Sequence, residues 1–447
     1  MSRRDPSWDP APAGAGAGLP RVAWGRGCYV QDAAGRRYLD ASGGPAVFCL
    51  GHGHEEVNAA ICQQLERIAH GYRYTFTSDP LEQLEALITA SAGPELSSMV
   101  FVSGGSEAVE SALKIALQFH SARGEPGRRR FIARRRSWHG NTLGALAVSD
   151  FSARREPFEG ALVEASFLPS VNAYRPPTGI AVADLAVHAA AELEAEILRV
   201  GPERVAAFIF EPVVGAAGGV IPAPSGYARL VREVCDRHGV LMIADEVMCG
   251  SGRCGTWRAL EHDGVVPDIC AVAKGLGGGY VPLGATLYHR RIAAVIDEVD
   301  GGALTGHTFT GHTLACAAGV AVQTIVTRDR LLERVARDGE RFRAALSAEL
   351  ADIYAVGDVR GRGFFVGIEL VRDAKTREPF DADQQVSARI GKAATALGLM
   401  LYPIGGNVDG VRGDALILAP AFNAPPDVLD EIVALTGRAI RAALRPL

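Results

Sequence analysis

Between residues 99 and 273, short apolar runs alternate with longer stretches of helical period, and that alternation leaves few folds open. The runs fall at 99–102, 130–133, 205–210, 240–244 and 269–273, with helices expected from Ser106 onward and across 227–238. A strand that returns to its own sheet through a helix does so by a right-handed crossover. The pattern therefore predicts a mostly parallel sheet with helices on both faces, an α/β architecture. The runs ending at Asp245 and at Lys274 read as buried strands that present polar tips.

Upstream, 27–32 and 37–40 bracket Ala33-Ala34-Gly35 and read as a β-hairpin, followed by helices over 57–69 and 80–92. The segment 171–178, containing Arg175-Pro176-Pro177, reads as a long surface loop. Past Arg328 the pattern changes to a long helix (331–350), strands over 359–370 and 415–419, and a last helix (427–444). A second, smaller α+β domain is expected there. The resulting division is a disordered leader (1–20), an N-terminal segment contributing to the small domain (21–70), a large domain (71–328) and a C-terminal small domain (329–447).

Composition removes several function classes. Hydrophobic residues make up 48% and charged residues 22% of the 447, as in a soluble globular protein. A net charge of −5 gives no drive toward nucleic acid or an anionic membrane. The local basic run, Arg128 to Arg130 and Arg134 to Arg136, reads as a solvated strand edge beside a site. No apolar stretch reaches the roughly 18 residues of a membrane span. The leader lacks the apolar segment of a signal peptide. Eight scattered cysteines fit buried thiols in a reducing cytoplasm, the expected location.

The chemistry concentrates at strand ends. Lys274, in Ala271-Val-Ala-Lys-Gly-Leu-Gly-Gly-Gly-Tyr280, supplies an amine able to form an imine. Asp245, closing Leu241-Met-Ile-Ala-Asp, supplies a carboxylate able to face a cationic ring nitrogen. Alone, each reads as a surface lysine or a helix-capping acid; together they are what pyridoxal phosphate (PLP) requires. In Phe101-Val-Ser-Gly-Gly-Ser-Glu107, two glycines and Ser106 at a helix start can bring backbone amides and a hydroxyl to a phosphate. Trp138 and His139 stand in a turn after the 130–133 strand, where an indole can stack on a flat ring. Glu211 ends the 205–210 strand, a recurrent site position in open α/β sheets. Thr308, in Gly306-His-Thr-Phe-Thr-Gly-His312, offers a hydroxyl before a small-residue helix. The histidine pairs there and at His52/His54 lack a neighbouring carboxylate at helical spacing, so no metal is expected.

Taken together, these segments resemble the class III family of pyridoxal-phosphate-dependent aminotransferases, its ω-aminotransferase subgroup included. The match extends from about Arg21 to Leu444 and is densest from Asp245 through Lys274 to Gly284. The resemblance implies a fold-type-I enzyme, with a mostly parallel seven-stranded sheet in the large domain, and a homodimer whose interface holds two active sites. It implies that Lys274 binds the cofactor covalently and moves the proton, and that Asp245 keeps the ring nitrogen protonated. Val247 and Trp138 would then cover opposite ring faces. Gly105 and Ser106 match the family's phosphate turn, Thr308 the threonine reaching the phosphate from the neighbouring subunit, and Glu211 the glutamate near the ring oxygen.

The substrate end departs from named family members. Those acting on α-carboxylates carry an arginine where this chain has Ile417, and diaminopelargonate-forming members have Arg-Pro where it has Tyr402-Pro403. Arg412, in the loop 405–413, remains as a carboxylate clamp, equally readable as an exposed loop arginine. Phe48, Tyr74 and Phe76 lie in segments that line the family's amine pocket, partly across the dimer. The expected function is transfer of an amino group from a primary amine or ω-amino compound to a 2-oxo acid such as pyruvate, by a ping-pong mechanism. A PLP-dependent racemase, aminomutase or decarboxylase is the alternative, and a cofactor-binding protein with a decayed site is a third reading.

Overall fold

The computed structural model describes residues 19–444; the expected leader lies outside them except for its last two positions. Its centre is a seven-stranded sheet in the order Ser98–Val102, Gly284–Tyr288, Ile269–Val272, Leu241–Asp245, Val205–Phe210, Arg130–Arg134, Ala165–Leu168. Gly284–Tyr288 runs antiparallel to both its neighbours, and the other pairings are parallel. Every residue of Val205–Phe210, Leu241–Asp245 and Ile269–Val272 is buried. Strands covered on both faces have no solvent face to alternate toward, which is why they read as unbroken apolar runs.

Helices cover the sheet as the crossovers require. Gly105–Ala122 lies on one face through Ala108, Ala112, Ile115, Ala116 and Phe119, its small residues allowing a close approach. Tyr227–His238 packs on the other face with Leu185–Val200, and Gly239, at φ 64°, ends it in the left-handed conformation that a C-terminal cap needs.

Two further sheets flank this layer. Val22–Arg26, Tyr29–Asp32 and Arg37–Asp40 form an antiparallel meander, joined in parallel by Leu399–Met400 from far down the chain. Val356–Arg362, Phe365–Leu370, Asp414–Leu418 and Tyr402–Gly405 form an antiparallel sheet. Helices Leu331–Leu350, Val386–Ala396 and Pro426–Leu444 complete that part, and its core includes Phe342, Ile368, Leu416 and Ile432.

Two expectations are corrected. The single strand expected over 359–370 is a hairpin, because Gly363 turns the chain at φ 56° between Arg362 and its partner Phe365. The basic run is not a solvated edge, since Arg130–Arg134 is an interior strand of the large sheet. Arg134 is buried and donates to Tyr227 Oη (2.9 Å), Pro169 O (3.0 Å) and Ala189 O (2.9 Å). Arg136 is buried against Asp150, Nε to Oδ2 3.1 Å. These guanidiniums stitch loops together, Arg134 mainly through carbonyl and hydroxyl oxygens and Arg136 through the Asp150 carboxylate.

Arg253 does the same where the parts meet. Fully buried, it donates to Pro420 O (2.5 Å), Phe364 O (3.2 Å) and Phe48 O (3.4 Å), with its guanidinium 4.6 Å from the Phe422 ring centroid. Burial lowers its pKa to about 10. Replacing Arg253 with Ala orphans three carbonyls, so a loss of about 3 kcal/mol or more is expected in urea unfolding. A loss below about 1 kcal/mol would show that these carbonyls find other partners.

Candidate active site

Five of the parallel strands end on the same edge, and the segments leaving them converge. Val102 leads into Ser103–Ser106, Arg134 into Trp138 and His139, Phe210 into Glu211, strand 241–245 ends in Asp245, and Val272 precedes Lys274. These residues, with Gly140, Val247, Met248, Val47, Gly279 and Val281–Leu283, line a cavity of about 250 Å³. Crevices at the carboxyl edge of such sheets are where ligands bind in open α/β folds.

Asp245 is held from two sides. Its Oδ2 lies 2.7 Å from His139 Nδ1, and its Oδ1 accepts from the Val247 amide at 3.0 Å. The far ring nitrogen, His139 Nε2, is buried with no hydrogen-bond partner among the described residues. Glu211 is buried nearby and accepts from the amides of Trp138 (3.0 Å) and Gly215 (2.7 Å). Burial lifts the Glu211 carboxyl to about 7, with Asp245 adding to the rise and His139 opposing it.

Lys274 follows a buried strand and takes φ 45°, a conformation that side-chain-bearing residues rarely adopt. The turn after it is clamped: Gln323 Nε2 donates to Gly275 O (3.2 Å) and Leu276 O (3.0 Å), and Gln323 Oε1 accepts from Trp257 Nε1 (3.1 Å). Strain of this kind persists where surrounding contacts over-determine it, and it gathers at functional sites. Burial lowers the Lys274 pKa, while Asp245 and Glu211 act in the opposite direction. A lowered lysine pKa raises the fraction of free amine, the nucleophilic form.

Gly105, Ser106 and Gly140 also line the cavity. Helix Gly105–Ala122 starts there, and the first amides of a helix lack acceptors inside it. Ser106 Oγ accepts from the Asn141 amide at 2.9 Å. A Cβ on Gly140 would stand 2.7 Å from Ser106 Cα, and one on Gly105 2.8 Å from Val247 Cγ1, so both positions need glycine for space. Amine, paired carboxylates, helix start and glycine cradle together fit a phosphorylated pyridine cofactor.

Several expected residues lie elsewhere in the single chain. Phe48 is half-buried, its ring 4.3 Å from that of His52 and against Gly279, outside the lining set. Tyr74 and Phe76 are 75% and 66% exposed, and Thr308 is exposed beside Phe309. The 306–312 segment lies next to Tyr74, whose Oη is near Gly306, and borders a second, apolar cavity of about 390 Å³ shared with Ser103 and Val281–Leu283. Arg412 is exposed, its Nε bonded to Asp409 Oδ2 at 2.8 Å. Neither Ser149, whose Oγ accepts from the His139 amide, nor Gln323 carries a signal of its own in the sequence. Both act through backbone contacts that only the folded chain creates.

The chain belongs to the class III aminotransferases: the family model "Aminotransferase class-III" matches residues 17–422. An uncharacterized aminotransferase of Schizosaccharomyces pombe is 39% identical, over 96% of this chain and 94% of that protein. The uncharacterized aminotransferase YodT of Bacillus subtilis is 36% identical, over 96% of each. Among solved structures, a thermostable (S)-enantioselective omega-transaminase from Thermomicrobium roseum superposes with a TM-score of 0.89 at 32% identity, covering 96% of this chain and 94% of its own. An amine transaminase from an uncultivated Pseudomonas species, in its PLP-bound form, gives 0.88 at 35%, covering 98% and 97%. This protein is therefore a class III aminotransferase with the fold-type-I architecture, and the family implies PLP as its cofactor. Among the described residues, no helix is long and apolar enough to cross a membrane.

The Glu211 environment sets a pH signature on the cofactor-free protein. Folding raises this carboxyl from its ordinary 4.5 to about 7, so the folded chain holds a proton that the unfolded chain releases. That contribution is complete below pH 4.5 and is lost as pH climbs through 7. Glu211→Gln stays neutral throughout and should flatten the thermal midpoint between about pH 5 and pH 8. A variant whose midpoint falls as steeply as that of the wild type would contradict the assignment.

Proposed function

We propose that the protein moves an amino group from a primary amine or ω-amino compound to a 2-oxo acid such as pyruvate, in two ping-pong half-reactions with PLP as cofactor. The observation that carries the reading is the convergence of Lys274, Asp245 and Glu211 on one cavity that Gly105 and Ser106 also line. PLP, when bound, supplies an electron sink that makes the Cα–H bond of an attached amine acidic.

The roles of the chain's own residues follow from their surroundings. Asp245, fixed by His139 and Val247, presents a carboxylate that keeps a ring nitrogen cationic. Lys274 is the covalent anchor and the base that carries the proton. Burial lowers its pKa and so favours the neutral amine that can accept a proton. Glu211 stands beside them as a carboxyl able to exist in either state. Trp138 and Val247 would cover the two faces of the ring, His139 would support Asp245 toward its nitrogen, and Gly105 and Ser106 would hold the phosphate.

Thr308, Tyr74 and Phe76 are proposed to act across a homodimer. Their exposure in one chain, together with exposed Tyr72, Leu304 and Phe309, makes an apolar surface beside the cavity that a second copy would cover. Phe48 is proposed to narrow the amine-binding side next to Gly279. Arg412 is proposed as a loop cation that reaches an acceptor carboxylate only after releasing Asp409.

The decisive measurement is a panel of amine donors against pyruvate and 2-oxoglutarate, following alanine or glutamate formed per ketone or aldehyde released. One-to-one stoichiometry supports transfer; product with no amino acid formed would point to rearrangement or decarboxylation. Lys274→Ala should abolish turnover and the borohydride-fixed label, and full activity in that variant would refute the mechanism. Asp245→Asn should lower the rate by about a hundredfold or more, read as kcat in steady-state assays.

A further inference from the structure

Glu211 takes one of its two backbone donors from Gly215, at 2.7 Å. Gly215 follows Val213–Val214, which pairs antiparallel with Ile221–Pro222, so residues 215–220 form the tip of a small hairpin. The amides of Gly218, Gly219 and Val220 all turn back to Gly215 O, at 3.3, 3.0 and 3.3 Å. Val220 is fully buried at φ 56°. A β-branched residue in that left-handed region is an outlier, and it persists only where surrounding contacts over-determine it.

Those contacts come from the antiparallel sheet of the C-terminal part. Arg360, buried on strand Val356–Arg362, donates its Nε to Val220 O at 2.7 Å and its Nη2 to Gly218 O at 3.1 Å. The same guanidinium is aimed by two carboxylates, with Nη1 on Glu369 Oε2 (2.5 Å) and on Asp358 Oδ2 (3.2 Å). Glu369 has no exposed surface, and its other oxygen accepts from Arg175 Nε at 2.6 Å. Gly367 on the next strand leaves room for the tip. A Cβ there would stand 2.3 Å from Gly219 O and 2.9 Å from Val220 Cβ.

We propose that Arg360 is a positioning residue for Glu211: by gripping the 215–220 tip it holds the Gly215 amide on the carboxylate. The protonation state of a group in the cavity is thereby tied to the placement of a separate sheet. The catalytic consequence rests on the aminotransfer reading; the link to Glu211 does not. The charged groups facing Glu211 are Asp245, His139 and Lys274. Arg360 is not among them, so its influence runs through the amide. A donor to the carboxylate favours the anion, and loosening it raises the carboxyl pKa further.

The test follows cofactor-free, full-length protein as the difference in thermal midpoint between each background and its Glu211→Gln counterpart, from about pH 4 to about pH 9. In the wild type this difference stops falling near pH 7. Arg360→Lys keeps a charge against Glu369 but lacks the planar fork that spans two carbonyls. It should carry the fall about one pH unit higher. Gly367→Ala, which drives a Cβ into the Gly219 carbonyl, should shift it in the same direction, and it replaces Arg360→Lys where that variant yields no folded protein. Arg175→Met removes the other cation from Glu369 without touching the tip; it should lower every midpoint and leave the end of the fall in place. In the PLP-loaded enzyme, Arg360→Lys should lower kcat for an amine donor about threefold to tenfold and change KM by less than about twofold. An end point within about 0.3 unit of the wild type's, an equal shift in Arg175→Met, or an unchanged kcat would overturn the proposal. A wild type that transfers nitrogen from no donor would refute the aminotransfer reading alone, because the Glu211 titration is read without turnover.

Discussion

Asp245 and Glu211 are both removed from water at the same edge of the central sheet, and the arrangement of the site follows from that burial. A buried carboxylate must be given donors or a nearby cation, or it takes up a proton. The two residues resolve the problem differently. Asp245 is supplied with an imidazole and an amide. Glu211 receives two amides, yet burial still lifts it to about 7. One acid is thus furnished for a cationic partner while the other is poised between its two states. Lys274, sharing the same cavity, feels both acids against its own desolvation.

This arrangement depends on rigid supports more than on the reacting groups. Lys274 keeps its left-handed backbone because the turn after it is fixed by buried Gln323, itself held by Trp257. His139 keeps its ring toward Asp245 while its amide is bound by Ser149. Each support is a polar group satisfied inside the core, where an unsatisfied one would cost about 1–3 kcal/mol. Exposed charge stays at the periphery: Arg154 lies over the Trp138 ring, and Arg412 is bonded to Asp409.

Much of the architecture was legible in the chain because covered strands leave a simple trace. Residues 205–210 and 241–245 read as apolar runs since both faces of those strands are buried, and Asp245 and Lys274 were visible as polar tips interrupting them. Strands with weaker traces escaped. Gly284–Tyr288 and Ala165–Leu168 carry no pattern that separates them from loop, and the 356–370 hairpin hid its turn at Gly363. The arginine run misled because charge in sequence does not say whether carbonyl oxygens await it inside the fold, as they do for Arg134.

By itself the sequence determined the alternation of buried strands with helices, the resemblance to the family, and the residue types available for imine and phosphate chemistry. Those are properties of local period and of short motifs whose meaning does not depend on distant neighbours. Tertiary structure alone decided which strand ends share an edge, that Glu211 titrates near neutrality beside Asp245, and that Arg154 rests on Trp138 while Arg412 is tied to Asp409. Each of these is a distance or a loss of solvent between residues far apart in the chain, and burial and proximity are created only when the chain closes on itself.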